Sequence, residues 1–178
     1  MPAARHGDSA DPAFTRATPF GGILRTMSAG PTPEFIVEFA RRGYAAFNEG
    51  GVEAILDFLE PEIEWVNEHP PPMDRTYRGY DGVRAYFEEL GALFEDLHLD
   101  PEEFIPVGNQ YVLVFLRVSG RGITSGVEGA QPVANLWKVG RRGAAQVRQF
   151  YDRAEALKAA GLEEPGPHGP LVERPQSL

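Results

Sequence analysis

Between Thr32 and Leu162 the hydrophobic positions switch between two repeats. Ile36, Phe39, Ala40, Gly43 and Phe47 recur at three- and four-residue steps, the spacing of one helix face. Thr32-Pro33-Glu34 prepares that helix: a threonine N-cap, a proline at the first helical position and an acid near the positive end of the dipole. Gly50-Gly51 ends it, and Val52, Ile55, Leu56 and Leu59 mark a short second helix that stops before Pro61. From Glu62 to Asn67 the step falls to two. Ile63, Trp65 and Asn67 share one side of a strand, and Glu62, Glu64 and Val66 share the other. Pro70-Pro71-Pro72 forces an extended loop. Asp81 opens a third helix whose apolar face carries Val83, Tyr86, Phe87, Leu90, Phe94 and Leu97. Strands follow over 98–107, 110–119, 127–139 and 144–153, with turns at Gly108-Asn109, Gly120 to Gly126 and Gly140 to Gly143. Ala154 to Ala160 forms a last short helix, capped by Gly161.

Helices gathered at the front and consecutive strands at the back predict an α+β fold, not a doubly wound parallel sheet. A curved, mostly antiparallel sheet with three helices over its open side makes a cone that encloses a pocket. The periodic segments bound one domain at 32–162. Residues 1–31, with Pro2, Pro12, Pro19 and Pro31, and residues 163–178, with Pro165, Pro167, Pro170 and Pro175, read as disordered tails. Met27 is an alternative start to Met1.

Composition narrows the function classes. A chain of 178 residues that is 42% hydrophobic, with 11 Phe, can build a sizeable core. Its net charge of -9 opposes nucleic acid and anionic membrane, which need clustered Lys and Arg; Arg41-Arg42 and Arg141-Arg142 read as solvated faces. Without cysteine there is no disulfide framework, thiol nucleophile or zinc–thiolate site. No apolar run approaches the ~18–20 residues of a membrane span, and no basic start precedes a long apolar stretch, so the expected location is cytoplasmic. The histidines lack metal-ligand spacing, so no metal is expected. Gly120-Arg121-Gly122 lacks the rest of a dinucleotide fingerprint, and no cofactor is expected either.

Four separated segments carry a family resemblance: Tyr44-Ala45-Ala46-Phe47-Asn48-Glu49-Gly50, Pro61-Glu62-Ile63-Glu64-Trp65, Tyr77-Arg78-Gly79-Tyr80-Asp81-Gly82-Val83 and Tyr151-Asp152-Arg153-Ala154-Glu155-Ala156-Leu157. In order and spacing they resemble the SnoaL-like branch of the nuclear transport factor 2-like superfamily, over about residues 34–162. The resemblance implies the cone fold. Its functions range from ketosteroid isomerases and polyketide cyclases to binding modules without turnover, and fold alone does not choose among them. Sheets of this superfamily commonly pair by their outer faces. Strands 110–119 and 127–139 carry apolar residues on both sides, including Tyr111, Leu113, Phe115, Val133 and Leu136, so a homodimer is expected. Laid on this sequence, the isomerase general base falls at Asn67, its protonated late-strand acid at Asn135 and its tyrosine at Gly43. Asparagine takes no proton at neutral pH, so steroid-type isomerisation lacks its base; both amides still offer hydrogen bonds to a carbonyl.

Asp152 is the first candidate for acid–base work. Arg148, Phe150 and Asp152 share one side of the last strand, and Val147, Gln149 and Tyr151 the other. Alternation alone does not say which set faces inward; the resemblance favours Arg148, Phe150 and Asp152. A carboxyl inside an apolar cone is a general acid or base near neutrality, whereas the same Asp152 outside would cap the terminal helix. His69, two residues after Asn67, is the second candidate, as a proton shuttle at the cavity mouth. Trp65 and Trp137 fall on the same sides as Asn67 and Asn135, so each strand offers one flat apolar surface and one amide. That mixture suits a small, partly apolar ligand with a carbonyl or hydroxyl. The expectation is a small-molecule-binding cone. The alternative is a cofactor-independent cyclase, isomerase, lyase or hydrolase that uses Asp152 or His69.

Overall fold

Thr32 caps the first helix as its sequence requires: its hydroxyl accepts from the Phe35 backbone N–H at 3.2 Å, ahead of Pro33. Helix α1 (Pro33–Ile55) buries Ile36, Phe39, Ala40, Gly43, Tyr44 and Phe47. The break expected at Gly50-Gly51 is a kink. Gly51 takes φ 67° and ψ -155°, which glycine adopts readily, and the chain re-enters the helix through Ile55 before a single 3₁₀ turn at Leu56–Phe58. The computed structural model describes residues 30–69 and 75–163; the proline loop and nearly all of both expected tails lie outside them.

After the turn come β1 (Leu59–Glu68), β2 (Arg75–Arg78), α2 (Gly79–Gly91), β3 (Phe94–Val107), β4 (Tyr111–Gly122), β5 (Glu128–Val139), β6 (Ala144–Phe150) and α3 (Arg153–Ala159). The strands form one curved, unclosed sheet of six in the order β2-β1-β6-β5-β4-β3. Every neighbouring pair is antiparallel except β1 with β6, which run parallel. Asn48 ties α1 to the sheet, with Nδ2 donating to the Leu99 carbonyl at 2.7 Å and Oδ1 accepting from the Leu99 N–H at 2.9 Å.

The third expected helix is shorter than its apolar repeat. It ends at Gly91, and Phe94 and Leu97 belong to β3. They keep the helical phase because the chain turns straight back: Phe94 pairs with Gly122 in β4, and Asp96 (φ 54°) sits in the irregular stretch before His98.

Two apolar clusters sandwich the sheet. The inner one joins α1 and α2 to Ile63, Trp65, Val112, Val114, Leu116, Val133, Trp137 and Val147. The outer one gathers Leu113, Phe115, Ala134, Leu136 and Phe150 under Ala156 and Leu157 of α3 and the following Leu162. Apolar residues on both sides of β4 and β5 are thereby explained within one chain. Leu113 is 0% and Leu136 4% exposed, so the outer-face argument for a homodimer loses its footing.

Candidate functional site

Strand parity decides what faces the helices. On β5 the inward residues are Val133, Asn135 and Trp137; on β1 they are Ile63, Trp65 and Asn67; on β6 they are Val147 and Gln149. Gln149 stands opposite Asn67 on one side and Asn135 on the other, which sets three amides at one level across neighbouring strands. Tyr44 of α1 meets this row from above. Its hydroxyl accepts from Asn135 Nδ2 at 3.1 Å and from Trp137 Nε1 at 2.9 Å. Asn67 Oδ1 and Asn135 Oδ1 are buried and find no hydrogen-bond partner among the described residues.

A second polar chain starts on α2. The Tyr86 hydroxyl donates to Gln149 Oε1 at 3.0 Å, and Gln149 Nε2 donates to the Tyr151 hydroxyl at 2.9 Å. Since Tyr151 accepts from the amide, its own proton remains for another acceptor. Were the amide reversed, Tyr86 would hold the spare proton instead. Either way the chain Tyr86–Gln149–Tyr151 offers one phenolic donor. It opens on a cavity of about 260 Å³. Leu90, Phe94, Leu97 and Val118 supply the apolar wall, Gly120 and Gly129 leave it open, and Gln131 and Ser119 complete the polar part. Among the described residues no acidic or basic side chain lines it.

This cavity lies further toward the β4–β5 hairpin than the sequence suggests. The space between the sheet and α1 is filled: Trp137 stacks obliquely on Tyr44 with centroids 5.3 Å apart, and Trp65 packs on Tyr86 at 5.2 Å and on Phe87 at 5.4 Å. Trp65 and Trp137 are 1% and 0% exposed, so both face inward as expected but serve as core, not as cavity wall. Asn67 and Asn135 also face inward, beside the cavity and outside its lining.

On β6 the structure inverts the expected side. Val147, Gln149 and Tyr151 face the helices, whereas Arg148, Phe150 and Asp152 face out. Phe150 packs under α3, and Arg148 pairs with Glu68 of β1 at 2.6 Å. Asp152 is exposed and caps α3, accepting from the Glu155 N–H at 2.9 Å. The physical reason is that α3 covers the outer face, so both sides of β6 carry apolar residues and polarity does not mark the inside. His69 is half-buried and stacks on the Tyr151 ring with centroids 3.9 Å apart, which brings it to the back of the cavity's polar wall. Sequence reasoning missed Tyr86, Gln149 and Tyr151 as a unit. The signal was present in the β5–β6 hairpin, where an inward Trp137 opposite Val147 forces Gln149 and Tyr151 inward too.

The chemistry of the wall follows from these neighbours. Burial drives the Tyr44 and Tyr86 phenols well above the ordinary tyrosine value, against the opposing hydrogen bonds from Asn135 and Trp137 at Tyr44. Both stay protonated at neutral pH and act as donors or acceptors, not as bases. The isomerase tyrosine position, Gly43, lies against the Trp137 ring, where an added Cβ would come within 3.0 Å.

A curved sheet that holds a cavity against its helices is the architecture of nuclear transport factor 2-like cones. The SnoaL-like domain model matches residues 40–148, more than half of the chain, and the protein belongs to that family. Among solved structures, an NTF2-like protein from Burkholderia thailandensis is 27% identical, with 72% of this chain and 95% of that one covered at a TM-score of 0.58. TerC, co-crystallised with polyporic acid, is 21% identical, with coverage of 72% and 98% and a TM-score of 0.57. A protein of ketosteroid isomerase-like fold from Catenulispora acidiphila, in complex with trimethylamine, is 15% identical, with coverage of 70% and 92% and a TM-score of 0.56. The last two likenesses establish fold alone. No curated protein matches the sequence.

Proposed function

We propose that the protein binds a small, uncharged, partly apolar molecule with a carbonyl or hydroxyl group in the cavity beside α2. One observation carries this reading: a largely apolar wall whose polar side chains are all uncharged presents Tyr86–Gln149–Tyr151, a neutral relay with a donor to spare. A charged ligand would lose its hydration there without gaining a counter-ion, and the desolvation penalty disfavours it. The relatives solved with polyporic acid and with trimethylamine support a ligand-holding role for such cones. The test is calorimetric titration with neutral 4-alkylphenols and simple quinones, on the wild type and on Tyr151→Phe. The variant keeps the ring on His69 but loses the hydroxyl, so affinity should fall about 2- to 12-fold, the worth of ~0.5–1.5 kcal/mol for one hydrogen bond. Binding unchanged both in Tyr151→Phe and in Tyr86→Phe, which between them remove the spare donor in either amide orientation, would refute the assignment.

A reaction by general acid–base catalysis is the second reading, favoured by the contact of His69 with Tyr151. Tyr151 would donate to a substrate carbonyl, with His69, stacked on its ring, as an ionisable neighbour. Here Tyr151→Phe and His69→Ala should both depress turnover ~10²-fold or more while binding changes little. Asp152 is the weakest of the candidates, because its carboxylate is engaged at the α3 terminus.

A further inference from the structure

The strongly exposed large hydrophobic residues among those described lie together. They are Leu93 (62% exposed), Phe94 (39%), Ile123 (48%) and Val127 (65%). The backbone ties them into one lip: the Ile123 N–H donates to the Leu93 carbonyl at 3.0 Å, the Gly122 N–H donates to the Val127 carbonyl at 3.0 Å, and Phe94 pairs with Gly122. Phe94 also belongs to the cavity wall, so lip and cavity are continuous. The charged neighbours on this hairpin, Arg121 and Glu128, pair with each other at 3.3 Å on the alternate strand positions. Exposed apolar side chains gathered at one place mark an interaction site more than scattered ones do.

The cavity has the phenolic chain at one end and at the other opens between Gly120 and Gly129, past Ser119 and Gln131, onto the apolar lip. Gln149 and Tyr151 lie near the level of Ala134, which pairs with Phe150. Gly129, beside the lip, is five residues further along β5, or about 17 Å at the rise of a strand. We propose that the ligand is two-ended: an uncharged phenol or carbonyl head at Tyr86–Gln149–Tyr151, and an aliphatic tail that leaves past Gly120 and Gly129 to lie on Phe94, Ile123 and Val127. This rests on the cavity being the ligand site. It adds that the lip belongs to the same site and selects for chain length, in place of serving as a contact for another protein.

The experiment is isothermal titration of 4-alkylphenols, from ethyl to dodecyl, into the full chain and into the exposed-site double variant Ile123→Ser/Val127→Ser. In the wild type each added methylene should tighten binding about two- to fourfold through the whole series, as expected for a chain that keeps leaving water. In the double variant the ethyl compound should bind as before, while the gain fades for the longest members. A wild-type affinity that levels off at butyl, or a double variant that keeps the full gain, would overturn the tail subsite and leave the cavity assignment standing. If no member of the series binds, both the cavity assignment and the tail fall.

Discussion

Gly129 offers the sharpest separation of stability from binding. It lies on the inward side of β5 opposite Gly120, at the open end of the cavity, and a Cβ built there meets no atom within 4 Å. It is also absent from the glycines with positive φ, so a side chain brings no backbone strain. Two effects compete when Gly129 becomes Leu. Overpacking in a filled interior costs ~1–3 kcal/mol. Relief of a glycine inside a strand returns ~0.5–1 kcal/mol. With nothing within 4 Å of the new Cβ and the cavity beyond it to take the rest of the side chain, overpacking is the smaller effect, so Gly129→Leu should gain up to about 0.5–1 kcal/mol in urea unfolding. The isobutyl group takes space that the ligand tail needs, so 4-octylphenol should bind at least about tenfold more weakly, a loss of ~1.4 kcal/mol. Gly120→Leu is the control. Its Cβ would lie 3.1 Å from the Glu95 carbonyl oxygen and 3.2 Å from the Phe94 Cβ, so that variant should lose stability. A Gly129→Leu protein destabilised by more than about 1 kcal/mol would contradict the geometry of the open end. Unchanged ligand affinity in it would move the ligand elsewhere.

Two further outcomes follow from groups outside the cavity. Asp152→Ala should lose ~0.5–2 kcal/mol in denaturant unfolding through the lost α3 cap, whereas Asp152→Asn, an equally good cap, should stay near wild type. Tyr44→Phe strands the buried Asn135 and Trp137 donors, at ~1–3 kcal/mol each, and should lower the urea midpoint accordingly. Tyr44 also sets an alkaline limit. Its folded value lies above the unfolded one near 10, so its contribution is full below pH 10. Above that the unfolded phenol ionises while the folded one does not, and stability should fall by ~1.4 kcal/mol per pH unit until the folded value is reached. Unfolding between pH 9 and pH 11 should show a shallower slope in Tyr44→Phe than in the wild type.

Much of the fold was legible because its signals are local. The Thr32 cap, the break at Gly51 and the turns between β3, β4, β5 and β6 each depend on a few neighbouring residues. The inward sides of β1 and β5 were legible as well, because Trp65 and Trp137 anchor them. The side of β6 was not, since Phe150 and Val147 are both buried, one under α3 and one under the inner helices. That single inversion exchanged Arg148 and Asp152 for Gln149 and Tyr151 as the polar residues of the site. The end of α2 was obscured in a similar way, because Phe94 and Leu97 extend its repeat while belonging to the next strand. Where the cavity lies depends on which large side chains fill the cone, and that is a property of packing among distant segments.

The parallel pairing of β1 with β6 also sets a timetable for synthesis. Asn67 pairs with Gln149, 82 positions later by subtraction, and β1 has only the four-residue β2 on its other side. At roughly 5–20 residues per second, β1 waits about 4–16 s after its own emergence before its partner exists. Through that interval one long edge of β1, carrying Ile63 and Trp65, is open to other chains. The ion-paired outward residues Glu64 and Glu68 flank those hydrophobics on β1, and as nascent carboxylates they supply the like-charge repulsion that keeps such an edge from pairing with a neighbouring copy.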